Sequence, residues 1–495
     1  MLLKPEVSAR KVLSSLAHAS GFGHFSAAGG IIEPRVTPPM RSTPTPNAPR
    51  IAYLTAGAAG MFCGSCMHDN TLAAALVRLG VDIQLIPTYT PIRTDEHDVS
   101  VDRVFFGGVN VYLQQKFPLF RHLPPLLDRL LDRPWFLRWV TSRGISIDPR
   151  ELGALTVSML RGSHGYQGKE VRRLCRWLES DLNPDLVVLT NILIGGCIPE
   201  IKRRLQVPVL VTLQGDDVFL DSLCPPYRDQ ALEQIRGLVG SVDGFLVNSS
   251  YYAQYMVDYL GLPPERVHRV PLGIQTEDFQ RDCHATPDPA GRPRRIGYLA
   301  RLSPEKGLHV LVDAFLDLRR RAGCEDVQLH VAGWLGDDHR GYAEAEFAKL
   351  EAAGLQDAFR YAGSLDREAK IDFLAGLDVF SVPATYRDPK GLYVLEAMAA
   401  GVPVVQPRHG AFPELLEHTG GGCLTEPDDA ASLANTLYEL LRDEQRRRAM
   451  GAAGQAAVFE SFNARRMAQA TLETYRRFLA TAVAPVRPPT PWNDK

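Results

Sequence analysis

Asp388 and Glu396 stand eight residues apart and flank Lys390, Gly391 and Leu392 in the stretch YRDPKGLYVLEAMAAGVPVV, from Tyr386 to Val405. The Asp388-Pro389-Lys390-Gly391 loop cannot continue a helix, Leu392 to Ala400 reads as a buried one, and Gly401-Val402-Pro403 stops it. Such a helix start offers free backbone amides to an anion. At ~3.6 residues per turn the two carboxylates fall about two turns apart on a similar face, one at the mouth and one inside the helix. Two acids flanking an anion-binding helix start suit a nucleotide-sugar pocket.

A second charged loop, RLSPEKG from Arg301 to Gly307, lies between the apolar run RIGYLA and the helical pattern HVLVDAFLDLRRR. Arginine grips two phosphate oxygens with a planar fork, and lysine supplies a point charge. In isolation Arg301 and Lys306 read rather as solvated loop cations. Their position at the end of a strand, matching that of residues 386–405 in the same domain, makes them expected phosphate ligands.

Gln214, Gly215, Asp216 and Asp217 follow the apolar run VPVLVTL. They therefore stand at the carboxyl end of a strand, where open α/β sheets place ligand contacts. Gln214, Asp216 and Asp217 are candidates for holding acceptor hydroxyls, or the two acids cap the following segment. The loop Gly57-Ala58-Ala59-Gly60 lacks the full dinucleotide fingerprint and reads as a tight turn or as a close approach to a ligand, with Gly60 the candidate contact. Cys63 and Cys66 form a CxxC beside a helix start, a setting that lowers a thiol pKa. No second pair completes a common zinc site, so the expected reading is small residues lining a cleft, with redox activity the lesser alternative, and no metal is expected.

These residues need a scaffold, and the 495-residue length gives room for two or more domains. Short apolar strands alternate with helical patterns twice over, which predicts an α/β protein of two Rossmann-like doubly wound domains. The expected division is a flexible leader over 1–49, a first domain over 50–282, a Pro-rich linker over 283–294 and a second domain over 295–459. A helix packing across the domains (460–482) and a tail (483–495) follow. The formal charge of −2 gives no electrostatic reason to expect nucleic acid. Eight dilute cysteines argue for a reducing compartment. No apolar run approaches the ~18–20 residues of a membrane span, so the expectation is a soluble, cytoplasmic chain. Residues 117–144, where Leu, Phe and Trp alternate with Arg, read as a helical insertion or as a peripheral contact with the inner membrane.

From residue 50 to about 480 the chain resembles the retaining glycosyltransferases of family 4, whose two Rossmann-like domains face each other across a cleft (the GT-B architecture). The resemblance rests on GYLARLSPEKG, YAGSLDREAKIDFLAGLDVFSVPA, DPKGLYVLEAMAAGVPVV and GAFPELLE, in the family's order and approximate spacing. It implies that Arg301 and Lys306 hold the donor diphosphate, Glu396 the ribose hydroxyls, and the backbone around Lys390, Gly391 and Leu392 the sugar or phosphate. Tyr361 and Leu365 would lie near the base, and Asp388 against the donor sugar. The implied activity is metal-independent transfer of a hexose-type sugar from a nucleotide diphosphate to a hydroxyl of a carbohydrate or lipid-linked acceptor, without a cofactor. Two departures stand out. Asp388 replaces the family's usual glutamate, and Gln214 stands where a histidine is often found. A sugar-nucleotide epimerase, an inactive sugar-nucleotide binder and a thiol redox protein are the competing expectations.

Overall fold

The computed structural model describes residues 48–57, 63–101, 104–106, 114–115, 149–280 and 292–481. The expected leader up to residue 47, Gly60, the 117–144 segment, residues 283–291 of the linker and the tail lie outside the described residues. Within them are two sheets. The first contains β1 (Arg50–Thr55), β2 (Asp82–Pro87), β3 (Leu186–Leu189), β4 (Val209–Thr212), β5 (Gly244–Val247) and β6 (Val267–Arg269). The second contains β7 (Arg295–Leu299), β8 (Gln328–Ala332), β9 (Phe359–Tyr361), β10 (Val379–Phe380), β11 (Val404–Pro407) and β12 (Gly422–Thr425).

Every pairing is parallel, in the orders β2-β1-β3-β4-β5-β6 and β12-β11-β10-β7-β8-β9. Strands covered by helices on both faces need apolar residues at every position rather than alternation. LVVL, VLVT and GFLV of β3, β4 and β5 meet that demand and are buried throughout. Two doubly wound α/β sheets are therefore present, as the sequence predicts. In the apolar run DVFSVPA, from Asp378 to Ala384, only Val379 and Phe380 form strand β10. Ser381 N still donates to Gly297 O at 2.9 Å, and Pro383, which has no N–H, then ends the ladder.

The helices that position the site are α1 (Gly64–Arg78), α2 (Asp216–Ser222) and α3 (Ser250–Leu260) on the first sheet. On the second they are α4 (Leu308–Leu318), α5 (Arg367–Ala375), α6 (Leu392–Ala399) and α7 (Phe412–Thr419). The last helix, α8 (Ala464–Thr481), returns to the first sheet and buries Met467, Ala468 and Tyr475 in a core shared with Leu72 and Leu76 of α1. Its entry is pinned by Ala464 N, which donates to Ile274 O at 2.8 Å.

Strand order reverses between β1 and β3 in the first sheet and between β7 and β10 in the second. At such points neighbouring loops leave in opposite directions and open a crevice at the carboxyl ends of the strands. Both crevices are lined by the residues singled out from the sequence.

Candidate functional site

In the second sheet the crevice is built from the loops after β7 and β10. The turn Pro304–Lys306 ends at Gly307, whose φ of +72° suits glycine, and an added Cβ there would sit 1.8 Å from Pro383 O. That close approach joins the two loops, helped by Thr385 N donating to Glu305 O at 3.0 Å. Lys306 Nζ then donates to Asp388 Oδ2 at 3.0 Å and to the Tyr386 hydroxyl at 2.6 Å, and lies 4.7 and 4.8 Å from the Tyr386 and Tyr393 ring centroids. Arg301 is half-exposed at the mouth and pairs with Glu305 at 3.2 Å.

Asp388 is the hub of this half. Its Oδ2 also accepts from the Tyr386 hydroxyl at 2.6 Å and the Tyr393 hydroxyl at 3.1 Å, and its Oδ1 accepts from the amides of Lys390 and Gly391, both at 3.0 Å. Burial pushes this carboxyl upward, but Lys306, the Tyr386 hydroxyl and the Lys390 amide outweigh it and hold Asp388 well below the usual carboxylate range. The Gly391 amide at the head of α6 is thus already bound. Gly391, at φ +74°, turns the chain from the loop into the helix, and Leu392 opens the first turn.

Glu396, one turn inside α6, is 6% exposed and accepts from Lys370 Nζ of α5 at 2.5 Å on Oε1. Lys370 also forms an ion pair with Asp95 Oδ2 of the first half at 2.5 Å. Arg367 Nη1 lies 3.7 Å from both Asp95 and Glu96. Burial pulls the Lys370 pKa down, and Glu396 and Asp95 more than restore it, so the ammonium stays charged.

In the first sheet, side chains from the carboxyl ends of β1, β3 and β4 converge on Asp69 of α1, which is fully buried. Its oxygens accept from Tyr53 (2.9 Å), Thr55 (2.8 Å), Thr190 (2.5 Å) and Gln214 Nε2 (3.0 Å), and His68 Nδ1 lies 3.3 Å away. Burial pushes the Asp69 pKa up, but His68, Thr190 and Thr55 prevail and lower it. The Gln214 amide group, held by Asp69 and Thr190, turns its Oε1 toward the cleft. There it accepts from Lys390 Nζ at 2.8 Å, and the same nitrogen lies 3.3 Å from Ser65 Oγ. Burial lowers the Lys390 pKa, countered by Cys63, Asp69 and Asp388.

The chain Asp69–Gln214–Lys390 therefore joins the two sheets across the cleft. Further ties run from Ser249 Oγ to Pro389 O (2.9 Å) and from the Ser250 and Tyr251 amides at the start of α3 to Glu414 Oε2 of α7 (2.7 and 3.2 Å). A carboxylate at a helix N-terminus is stabilised by its free amides.

Helix α1 begins at Gly64, which places Cys66 in its first turn and Cys63 at its cap. The Cys66 thiol donates to the Cys63 sulfur, the largest of several effects that lower the Cys63 pKa; the amides of Cys66 and Ser65 and nearby Lys390 add to it. Asp216 turns inward to accept from the amides of Ile192 and Gln214 at 2.8 and 2.9 Å, and burial raises its pKa to about 6. Asp217 accepts from the Tyr252 hydroxyl at 2.6 Å. The Tyr361 hydroxyl donates to Gly333 O at 2.9 Å, and Leu365 lies half-buried in the loop after β9. The sequence reading missed Asp69, Lys370 and Tyr386. The local signal for Asp69 is the polar run His68-Asp69-Asn70-Thr71 ahead of the apolar run Leu72–Val77. Among the described residues no group of three or more His, Cys, Asp or Glu side chains could hold a metal ion, and no helix is long and apolar enough to cross a membrane.

Two family models match the chain, "Glycosyl transferase 4-like domain" over residues 70–273 and "Glycosyl transferases group 1" over residues 281–457. An amylovoran biosynthesis glycosyltransferase of Erwinia amylovora is 32% identical over 216 residues, 42% of this chain and 50% of the relative. A GDP-mannose-dependent monoacylated alpha-(1-6)-phosphatidylinositol monomannoside mannosyltransferase of Corynebacterium glutamicum is 31% identical over 266 residues, 50% of this chain and 65% of the relative. The matches thus span half to two thirds of the relatives' own length. Among solved structures, sucrose-phosphate synthase from Thermosynechococcus elongatus superposes with a TM-score of 0.62 at 17% identity, covering 87% of this chain and 99% of that one. The Anabaena protein Alr3699/HepE, solved in complex with UDP, superposes with a TM-score of 0.59 at 16% identity, covering 86% of this chain and all of that one. At such identities the structural likeness is one of fold.

Proposed function

Because the chain belongs to the group 1 glycosyl transferases, we propose that it is a retaining glycosyltransferase that moves a hexose-type sugar from a nucleotide diphosphate to a hydroxyl acceptor. The observation that carries this reading is the convergence of Lys306, Lys390 and the start of α6 on Asp388, with Arg301 at the mouth. The donor side is assigned to residues 295–459 and the acceptor side to 50–282, with the 460–482 helix packed across them.

Breaking the anomeric bond develops negative charge on the diphosphate and positive character on the sugar. Cations fixed beforehand lower the barrier where that charge appears. Arg301 and Lys306 take the diphosphate, exchanging their pairing with Glu305 and Asp388 for phosphate oxygens, and no metal is needed in this scheme. Lys390 faces the same space from the other side. Glu396 keeps Oε1 on Lys370 and offers Oε2, which has no partner among the described residues, to a ribose hydroxyl. Tyr361 and Leu365 border the base. Gln214 cannot titrate, so it holds the transferred sugar by hydrogen bonding, and the acceptor proton passes to a phosphate oxygen during attack on the same face.

The relatives' names make GDP-mannose and a lipid-linked sugar the first donor and acceptor to assay, with UDP-sugars beside them. A lipid-linked acceptor would bring the protein to a membrane surface, for which the basic, aromatic 117–144 segment has the composition. The test is turnover of a donor panel by wild type, Arg301→Ala and Lys306→Ala, with the product anomer read by NMR. A retained anomer and a loss of about 3 kcal/mol of transition-state stabilisation per variant are expected. Inverted product, or wild-type turnover in both variants, would remove these roles. Release of a free modified sugar without acceptor would indicate epimerase chemistry instead.

A further inference from the structure

We propose that Cys63 and Cys66, at the head of α1, form a dithiol–disulfide switch that a hydroperoxide oxidises and a dithiol reduces, and that controls the grip of Lys390 in the cleft. What the switch controls rests on the glycosyltransferase reading; the thiol chemistry stands apart from it.

Cys63 caps α1 and Cys66 lies in its first turn, three residues on, where the Cβ atoms of neighbours stand about 5–6 Å apart. Bridged cysteines have Cα atoms about 4.4–6.8 Å apart, so this turn accommodates a disulfide. The two sulfurs already share a hydrogen bond, donated by Cys66. Cys63 is half-buried and Cys66 is buried behind it. Gly64 beside them is exposed, with nothing within 4 Å of where its Cβ would stand, so a small oxidant reaches the cap and the cap has room to move. The roles divide accordingly: Cys63 meets the oxidant and Cys66 resolves.

The electrostatics agree with that division. The Cys66 thiol, the amides of Cys66 and Ser65 and the Lys390 ammonium lower the Cys63 pKa to about 5, which makes it a thiolate at neutral pH. Burial pushes the thiols of Cys175, Cys197, Cys324 and Cys423 up, so those stay protonated. In the first step the Cys63 thiolate attacks the hydroperoxide; an S–O bond forms, the O–O bond breaks, and the departing alkoxide takes a proton from solvent. The Cys66 sulfur then attacks the Cys63 sulfenic acid; the S–S bond forms, the S–O bond breaks, and hydroxide leaves as water with the Cys66 proton. The two sulfurs have given two electrons to the O–O bond, and a dithiol returns them by exchange.

The pair faces the donor cluster. Lys390 Nζ lies 3.3 Å from the hydroxyl of Ser65, which stands between the two cysteines, and donates to Gln214 Oε1 at 2.8 Å. The charged groups around Lys390 are Cys63 and Asp69 of α1, Asp388 of its own loop and Lys306 after β7, while burial keeps His68 neutral. Burial pulls the Lys390 pKa down, and Cys63 is the foremost of the anions that oppose it. A disulfide carries no charge. Oxidation therefore removes that anion, lowers the Lys390 pKa further, and the ammonium that faces the donor phosphates is lost at a lower pH.

The test uses the full chain, hydrogen peroxide and dithiothreitol. Peptide mapping should find Cys63 joined to Cys66 before any other cysteine is modified. Cys66→Ser should leave a sulfenic acid on Cys63, trapped by dimedone, and Cys63→Ser should leave Cys66 a thiol. Alkylation of Cys63 by iodoacetamide should stay nearly constant from about pH 6 to 8, where an ordinary thiol of pKa about 8.5 speeds up about 75-fold. With a nucleotide sugar that raises the Tm, the alkaline limb of turnover should lie about one pH unit lower in the oxidised protein than in the reduced one. Turnover on that limb then falls about tenfold and dithiothreitol restores it, whereas Cys63→Ser/Cys66→Ser should not respond to peroxide. If nucleotide sugars bind but no Cys63–Cys66 disulfide forms, or if the disulfide leaves the limb in place, the switch is refuted while the transferase reading stands. If the disulfide forms as described and no nucleotide sugar binds either state, the transferase reading fails, and the control of Lys390 with it, while the reactive thiol pair remains.

Discussion

Replacing Asp388 by asparagine removes the charge from a side chain that accepts from Lys306, two tyrosine hydroxyls and two amides while only 4% exposed. Stranding one member of a buried ion pair costs about 3–5 kcal/mol. Lys306 keeps its contacts with the Tyr386 and Tyr393 rings, worth together about 1–2 kcal/mol, and asparagine keeps an oxygen for the two amides. The expected loss of stability at neutral pH is therefore about 2–3 kcal/mol. Acid should erase it. The native carboxyl is held below its ordinary range, so as pH falls below about 4 the unfolded chain takes up a proton that the native state refuses. Wild type then loses about 1.4 kcal/mol of this contribution per pH unit, and the asparagine variant loses none of it. Urea unfolding followed by circular dichroism at about pH 7, 4 and 3 reads the gap directly. Equal stabilities at neutral pH, or a gap that stays constant on acidification, would refute the assignment of Asp388 as an ionised hub.

Three further outcomes follow from the same geometry. Lys370→Met strands Asp95 and Glu396 and should cost about 3–5 kcal/mol by urea unfolding, partly recovered in Lys370→Met/Glu396→Gln. Lys390→Met should lower kcat/KM about 100-fold; because burial lowers the Lys390 pKa, wild-type activity should fall at a lower alkaline pH than an ordinary lysine gives, and Lys390→Arg should move that limb upward. Gly307→Ala forces a side chain into a left-handed conformation against Pro383 O and should cost more than about 1–2 kcal/mol in a thermal melt.

The parallel sheets were legible because buried parallel strands must be apolar at every position, and LVVL or VLVT can be little else in a chain this long. The cluster around Asp388 was legible for a local reason. Arg301 and Lys306 share one loop, Asp388 to Glu396 share one loop and helix, and each group carries its charges within a few residues. What stayed hidden joins distant residues. Nothing near Gln214 announces that its amide is held by Asp69, 145 positions earlier, or that its carbonyl receives Lys390, 176 positions later. Glu396 reads as free in sequence, yet Lys370 reaches it from α5 while also bridging to Asp95 on the other sheet. Such pairs are set by cleft closure, which no periodicity encodes.

The most direct test of the account is a thermal-shift screen of the full chain against UDP-, GDP- and ADP-sugars, run beside Arg301→Ala/Lys306→Ala. A ligand that binds only the folded state adds about 2.7 kcal/mol of stability at a hundredfold excess over its Kd. The account predicts a raised Tm with at least one nucleotide sugar in wild type and its loss in the double variant. No shift with any of them, or an undiminished shift in the double variant, would contradict it.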